Sequence, residues 1–157
     1  MKVIDIRGKN NCGKSLIIKF IREYIANSGE VEKIKKEYIK EYDDDFKETF
    51  VVYKFKGKVI AIVSQGDNES FVKRVTKLIK QLSDDGIKLD YLFHTSRTKG
   101  GSVKESDKIK DLADELFVFW ANRIQEEILE NEVEVQKKLF VNFIMKVIKF
   151  KEDFDLK

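Results

Sequence analysis

The sequence predicts an α/β domain of three layers: a mainly parallel sheet carrying one antiparallel hairpin strand, with a helical C-terminal tail. Three observations carry the prediction. Short strand-like runs alternate with stretches of helical period. One run, Val59 to Val63, is apolar at every position, as a strand buried on both faces must be. A glycine-rich loop stands where the first strand pattern gives way to the first helical one.

The elements follow in order. Lys2 to Ile6 is apolar-rich and reads as a strand stopped by Arg7-Gly8. From Lys14, the stripe Ile17, Ile21, Tyr24, flanked by Ile18 and Ile25, has helical spacing, and Asn27-Ser28-Gly29 is a helix C-terminal signal. Residues 30 to 48 are charge-dense and weakly periodic, open to either a short helix or a mobile excursion. Thr49 to Phe55 and Lys58 to Ser64 flank Lys56-Gly57, a hairpin signal, with the first run expected nearer the edge of the sheet. The stripe Phe71, Val75, Leu78, Leu82 marks a helix whose wet face carries Lys73, Arg74, Lys77 and Lys80, closed by Asp84-Asp85-Gly86. Leu89 to His94 is a third core strand. A loop over 95–102, a helix from about Glu105 to Glu115 and a strand from Leu116 to Trp120 come next. Apolar residues between Ile124 and Ile148 suit one or two helices with a broad apolar face. Residues 1–121 are therefore read as one α/β domain containing the glycine-rich loop, and 122–157 as a helical extension packed on it.

Composition narrows the function. With 157 residues, 42% hydrophobic and including 12 Phe and 5 Tyr, the chain can fill the core of one domain. The absence of proline excludes polyproline linkers and proline-kinked helices. One cysteine and one histidine exclude an internal disulfide and a thiolate or histidine metal cage, so any metal is expected on oxygen. No apolar run approaches the roughly 18 residues of a membrane span, and no secretory leader pattern opens the chain, which points to the cytoplasm. The charges nearly cancel, 31 basic against 28 acidic, which disfavours a nucleic-acid footprint.

Gly8-Lys9-Asn10-Asn11-Cys12-Gly13-Lys14-Ser15 is a complete G-x-x-x-x-G-K-[ST]. Its glycines let backbone N–H groups turn inward toward phosphate oxygens, and the helix that follows adds its positive dipole end. Lys14 is placed to reach the β- and γ-phosphates and Ser15 to put its hydroxyl on Mg²⁺. Cys12 is read as a small filler whose backbone is used. In these residues the chain resembles the P-loop NTPases, and more loosely small ATP-binding proteins of bacteria and phages, through the strand ends before Ser64-Gln65-Gly66-Asp67 and at Ser96-Arg97-Thr98-Lys99-Gly100-Gly101-Ser102. The resemblance implies ATP and Mg²⁺ as ligands. It also implies a metal-holding acid at the end of a core strand; here the strand runs into Ser64, and the nearest acid is Asp67. Asp67 reads equally as that acid and as an ordinary helix N-cap before Asn68. The Asn-Lys-x-Asp signature expected of guanine-specific relatives is absent, which favours ATP.

Arg97 lies in a loop at the carboxyl edge of the predicted sheet, where it can neutralise charge on a transferred phosphoryl group; Lys99 is a weaker candidate, and Gly100-Gly101 a second backbone nest or hinge. The alternative for this loop is a solvated turn. His94 and Trp120 are read as packing residues, with Trp120 and Asn122-Arg123 also near where a base can stack. Two functions remain: a small kinase moving the γ-phosphoryl of MgATP to a nucleotide or metabolite, with Lys14, Asp67 and Arg97 as its catalytic residues, or an NTP-driven switch acting through a protein partner.

Overall fold

The computed structural model describes residues 1–40, 48–63, 69–121, 130–147 and 149–153. Six strands form one sheet in the order β2-β3-β4-β5-β1-β6. They are β1 (Lys2–Arg7), β2 (Glu32–Lys40), β3 (Glu48–Phe55), β4 (Lys58–Val63), β5 (Tyr91–Ser96) and β6 (Glu115–Trp120). The pairs β4·β5, β5·β1 and β1·β6 are parallel, whereas β3 runs antiparallel to both β2 and β4. Five strands thus share one direction and β3 alone opposes them, as the hairpin signal predicts. Lys56 and Gly57, with φ of 45° and 81°, make its tight turn.

The period-2 alternation of the strands sorts their side chains into two cores. Ile4, Ile6, Ile60, Ile62, Phe93 and Phe119 face α1 (Lys14–Asn27), α4 (Glu130–Val147) and α5 (Phe150–Asp153). Val3, Val52, Ala61, Val63 and Leu92 face α2 (Glu69–Asp84) and α3 (Gly101–Lys110). The sheet is the middle of three layers. α5 is held by aromatic contacts of Phe150 with Phe55 and Tyr91 at 6.5 and 5.8 Å between ring centroids. Its Asp153 accepts hydrogen bonds from Lys2 and from the Tyr91 hydroxyl.

Three expectations change. Residues 32–40 are neither a helix nor a mobile excursion but an edge strand, and β3 accordingly sits one place in from the edge. An edge strand has one open side, so Glu-Lys-Ile-Lys-Lys-Glu-Tyr-Ile-Lys can carry many charges and still pair. α3 begins at Gly101, four residues before the predicted start, and Thr95 and Ser96 belong to β5. Gly100 and Gly101 therefore launch a helix, Gly100 as its N-cap and Gly101 as its first residue. A Cβ on Gly101 would overlap the Glu69 carboxylate at the start of α2, so glycine here serves the approach of two helices. Trp120 is not core but 56% exposed, because β6 is the other edge strand and α3 does not cover its end. On α2 the expected division holds: Val75, Leu78 and Leu82 are buried and Lys73, Arg74, Lys77 and Lys80 exposed, while the Phe71 side chain lies outside the described residues.

Candidate functional site

The glycine-rich loop joins β1 to α1 at the carboxyl edge of the parallel strands, the edge at which open α/β sheets take ligands. Its first amide, that of Gly8, donates to the Ser96 carbonyl of β5 at 3.2 Å. A Cβ on Gly8 would overlap the Cys12 sulfur and stand 2.7 Å from the Ala121 carbonyl oxygen, so only glycine lets the loop fold back over the end of β6. Asn11 and Gly13 both take left-handed conformations, φ 56° and 82°, and these two turns bring the chain round into the helix. Gly13 occupies the N-cap of α1, which has no side-chain cap and no acidic residue in its first turn. Lys9, Asn10 and Asn11 form the exposed tip, Cys12 is buried and Ser15 is half-buried in the first turn. Lys14 points back under the loop, its ammonium donating to the carbonyls of Lys9 at 2.8 Å and Gly8 at 3.2 Å. These are charge-assisted bonds, and they satisfy carbonyls that the tight turn cannot pair with backbone.

A second lysine reaches the loop from the far end of the chain. Lys137 of α4 donates to the Cys12 carbonyl at 2.9 Å and is 5% exposed. Its side chain packs on Gly13, where an added Cβ would come within 2.8 Å of Cε. Burial holds its ammonium below the ordinary lysine value. The sequence carries no signal for this contact, since Lys137 stands beside Lys138 in a helix rich in charge.

Below the loop, on the α3 side of the sheet, lies a buried ionic cluster. Asp5 is fully buried and accepts from Arg7 Nη2 at 2.6 Å and from the Ser96 hydroxyl at 2.7 Å. Arg7 Nε also donates to Ser96 Oγ at 3.2 Å, and its guanidinium lies 5.8 Å from the centre of the Trp120 ring. The sequence holds a signal for this cluster: an acid and an arginine two apart within a core strand must share a face. His94, two residues before Ser96 in β5 and opposite Asp5 in the register, is buried. Burial pushes its imidazole below 6.5, with the Asp5 charge acting in the opposite direction.

Of the predicted site residues, the structure brings Gly8 through Ser15 together in one loop. Arg97 follows directly on Ser96, whose carbonyl holds Gly8, and so sits half-buried beside the loop's start. Lys99 is exposed in the bend that follows. Asp67, together with Ser64 through Asn68, lies outside the described residues, as do Asn122 and Arg123. β4, which leads toward Asp67, is separated from β1 by β5, about 10 Å at the usual strand spacing. Among the described residues no cluster of three or more His, Cys, Asp or Glu is placed to hold a metal, and no helix is long and apolar enough to cross a membrane. Chemically, the loop offers a helix N-terminus without a side-chain cap, the buried Lys14 ammonium and the Ser15 hydroxyl, which is a set suited to a phosphate ester. No family model matches the chain, and no match was found among curated proteins or solved structures.

Proposed function

We propose that this chain is a P-loop protein that binds MgATP in the loop Gly8–Ser15 and passes the γ-phosphoryl group to a nucleotide or small metabolite. The observation that carries this reading is the loop itself, with left-handed Gly13 capping α1 and the Lys14 ammonium turned into the curl. In this reading Lys14 exchanges loop carbonyls for β- and γ-phosphate oxygens, and the amides leading into α1 take the remaining charge. Ser15 and Asp67 are the residues that would hold Mg²⁺, an ion that uses few protein oxygens and binds largely to phosphate and water. Held there, the ion would supply charge neutralisation on the phosphates. Arg97, beside the loop's start, stabilises charge on the group in transit.

A switch is the second reading, and one contact favours it: Lys137 ties the loop to α4, so a ligand in the loop can move the C-terminal helix. The first test is thermal. MgATP at 100 times its Kd stabilises by about 2.7 kcal/mol, which for a chain of this size is about 5–10 °C. Lys14→Ala removes that shift; equal shifts in both proteins refute the reading. Labelled phosphoryl transfer to nucleosides and nucleoside monophosphates then separates the two functions, since release of phosphate alone favours the switch.

A further inference from the structure

We propose that two copies of this chain associate through the β6 edge, β6 pairing antiparallel with its counterpart about a two-fold axis at Val118 and α4 packing against α4 of the second copy.

The two edges of the sheet are built differently. β2, at one edge, carries lysines and glutamates along most of its length, the usual protection against pairing with another chain. β6, at the other, reads Glu-Leu-Phe-Val-Phe-Trp, with no charge after its first residue and neither proline nor glycine. Among the described residues no strand pairs with its outer side. On its α3 face Leu116, Val118 and Trp120 are exposed.

α4 continues this surface on the opposite face of the sheet. It buries Val141, Ile144 and Met145, and Lys138 sits over the Phe20 ring of α1, which marks the flank toward α1. Val135, Leu139, Phe143 and Val147, at intervals of four and between 41% and 62% exposed, wind across the outward face of the helix to its other flank, which Phe143 and Val147 reach. Phe143 makes an edge-on contact with Phe119 of β6 at 6.1 Å, so this end of the row borders β6. The broad apolar face expected from the sequence is thus only half used inside the molecule.

A second copy fits this edge. A two-fold axis perpendicular to the sheet keeps each layer on its own side, so α4 meets α4 and residues of like parity face each other across the strands. With the axis at Val118, Leu116 lies opposite Trp120 of the second copy and Phe117 opposite its Phe119. The pairs from Leu116 through Trp120 are then all apolar, and Glu115 falls beyond them, opposite Ala121. Seven side chains about half exposed, at up to ~150–250 Å² for a large one, expose on the order of 600 Å² of apolar surface per copy. Spread over both faces of the edge, that lies at the upper end of what a monomer leaves open and below the ~800 Å² per partner of a standard interface, to which the backbone edge of β6 adds. With only +3 of formal charge per chain, repulsion between copies is weak.

Sedimentation equilibrium of the full chain tests the assembly, and oxidative cross-linking tests the register. The expected mass at about 100 μM is twice 18.4 kDa. Leu139→Glu combined with Phe143→Glu returns the mass to one copy while the circular dichroism spectrum and a cooperative melt are retained. Val118→Cys, treated with diamide, forms a disulfide-linked dimer, because directly opposed residues have Cα atoms about 4.5–5.5 Å apart, within disulfide reach. Leu116→Cys does not, since its own image lies roughly 13 Å away along the strands. A monomeric wild type at 100 μM, a dimer unchanged by the α4 pair, or equal cross-linking of the two cysteine variants overturns the proposal.

Discussion

Gly13→Ala couples the loop to α4 in a way that can be measured without any ligand. At φ 82° an alanine carries left-handed strain of about 1–2 kcal/mol. Its Cβ would also stand 2.8 Å from Lys137 Cε, too close to tolerate, so the lysine has to move. Lys137 is nearly fully buried, and moving it breaks the bond to the Cys12 carbonyl. A hydrogen bond from a charged group contributes about 1.5–3 kcal/mol. Gly13→Ala is therefore expected to cost about 2.5–5 kcal/mol. Lys137→Ala loses the same bond but also relieves a desolvated ammonium, so its cost is about 1–3 kcal/mol. The double variant should be scarcely worse than Gly13→Ala alone, because the bond is already lost. Urea denaturation of the four proteins measures this as a coupling equal to the Lys137→Ala cost, about 1–3 kcal/mol, whereas independent sites add within about 0.5 kcal/mol. Additive costs would falsify the contact between α4 and the loop.

Further outcomes are expected at the neighbouring residues. Asp5→Asn leaves the Arg7 guanidinium without its carboxylate inside the sheet, at a cost of about 3–5 kcal/mol in chemical denaturation; Asp5→Leu with Arg7→Met recovers most of it, and a small cost for Asp5→Asn contradicts the ion pair. The sole histidine gives a pH signature. With the folded imidazole below 6.5, the unfolded chain takes up a proton that the folded one resists, so stability declines as pH falls below about 6.5, by at most ~1.4 kcal/mol per pH unit, until the folded value is reached. His94→Gln should flatten the urea midpoint between pH 7 and 5.5, and identical slopes would exclude His94 as the source. Arg97→Ala is expected to lower phosphoryl transfer about 100-fold with nucleotide affinity little changed; unchanged turnover removes Arg97 from the site.

Where local chemistry sets the conformation, the sequence reading and the structure agree. The β3–β4 turn is written in Lys56-Gly57, and the central place of β4 in its uninterrupted apolar run. The course of the glycine loop follows from its own residues, because Gly8 and Gly13 stand where any side chain would collide. Agreement fails where a residue's meaning depends on what lies across from it. The lysines of β2 obscure its strand character, since only one side of an edge strand pairs. Trp120 resembles a core residue until β6 is found at the border of the sheet, where the residue is 56% exposed.

From its order of residues alone this chain specifies an α/β domain, a single reversed strand and a glycine-rich turn between its first strand and first helix, because propensity, period and turn chemistry act over a few neighbouring positions. The contacts that join Asp5 to Ser96, and Lys137 to Cys12, span 91 and 125 residues. Those partners meet only when parallel strands align and α4 closes over α1. Burial then changes what each group is: an ordinary aspartate becomes half of an enclosed ion pair, and one lysine among 31 basic residues becomes a brace for the loop.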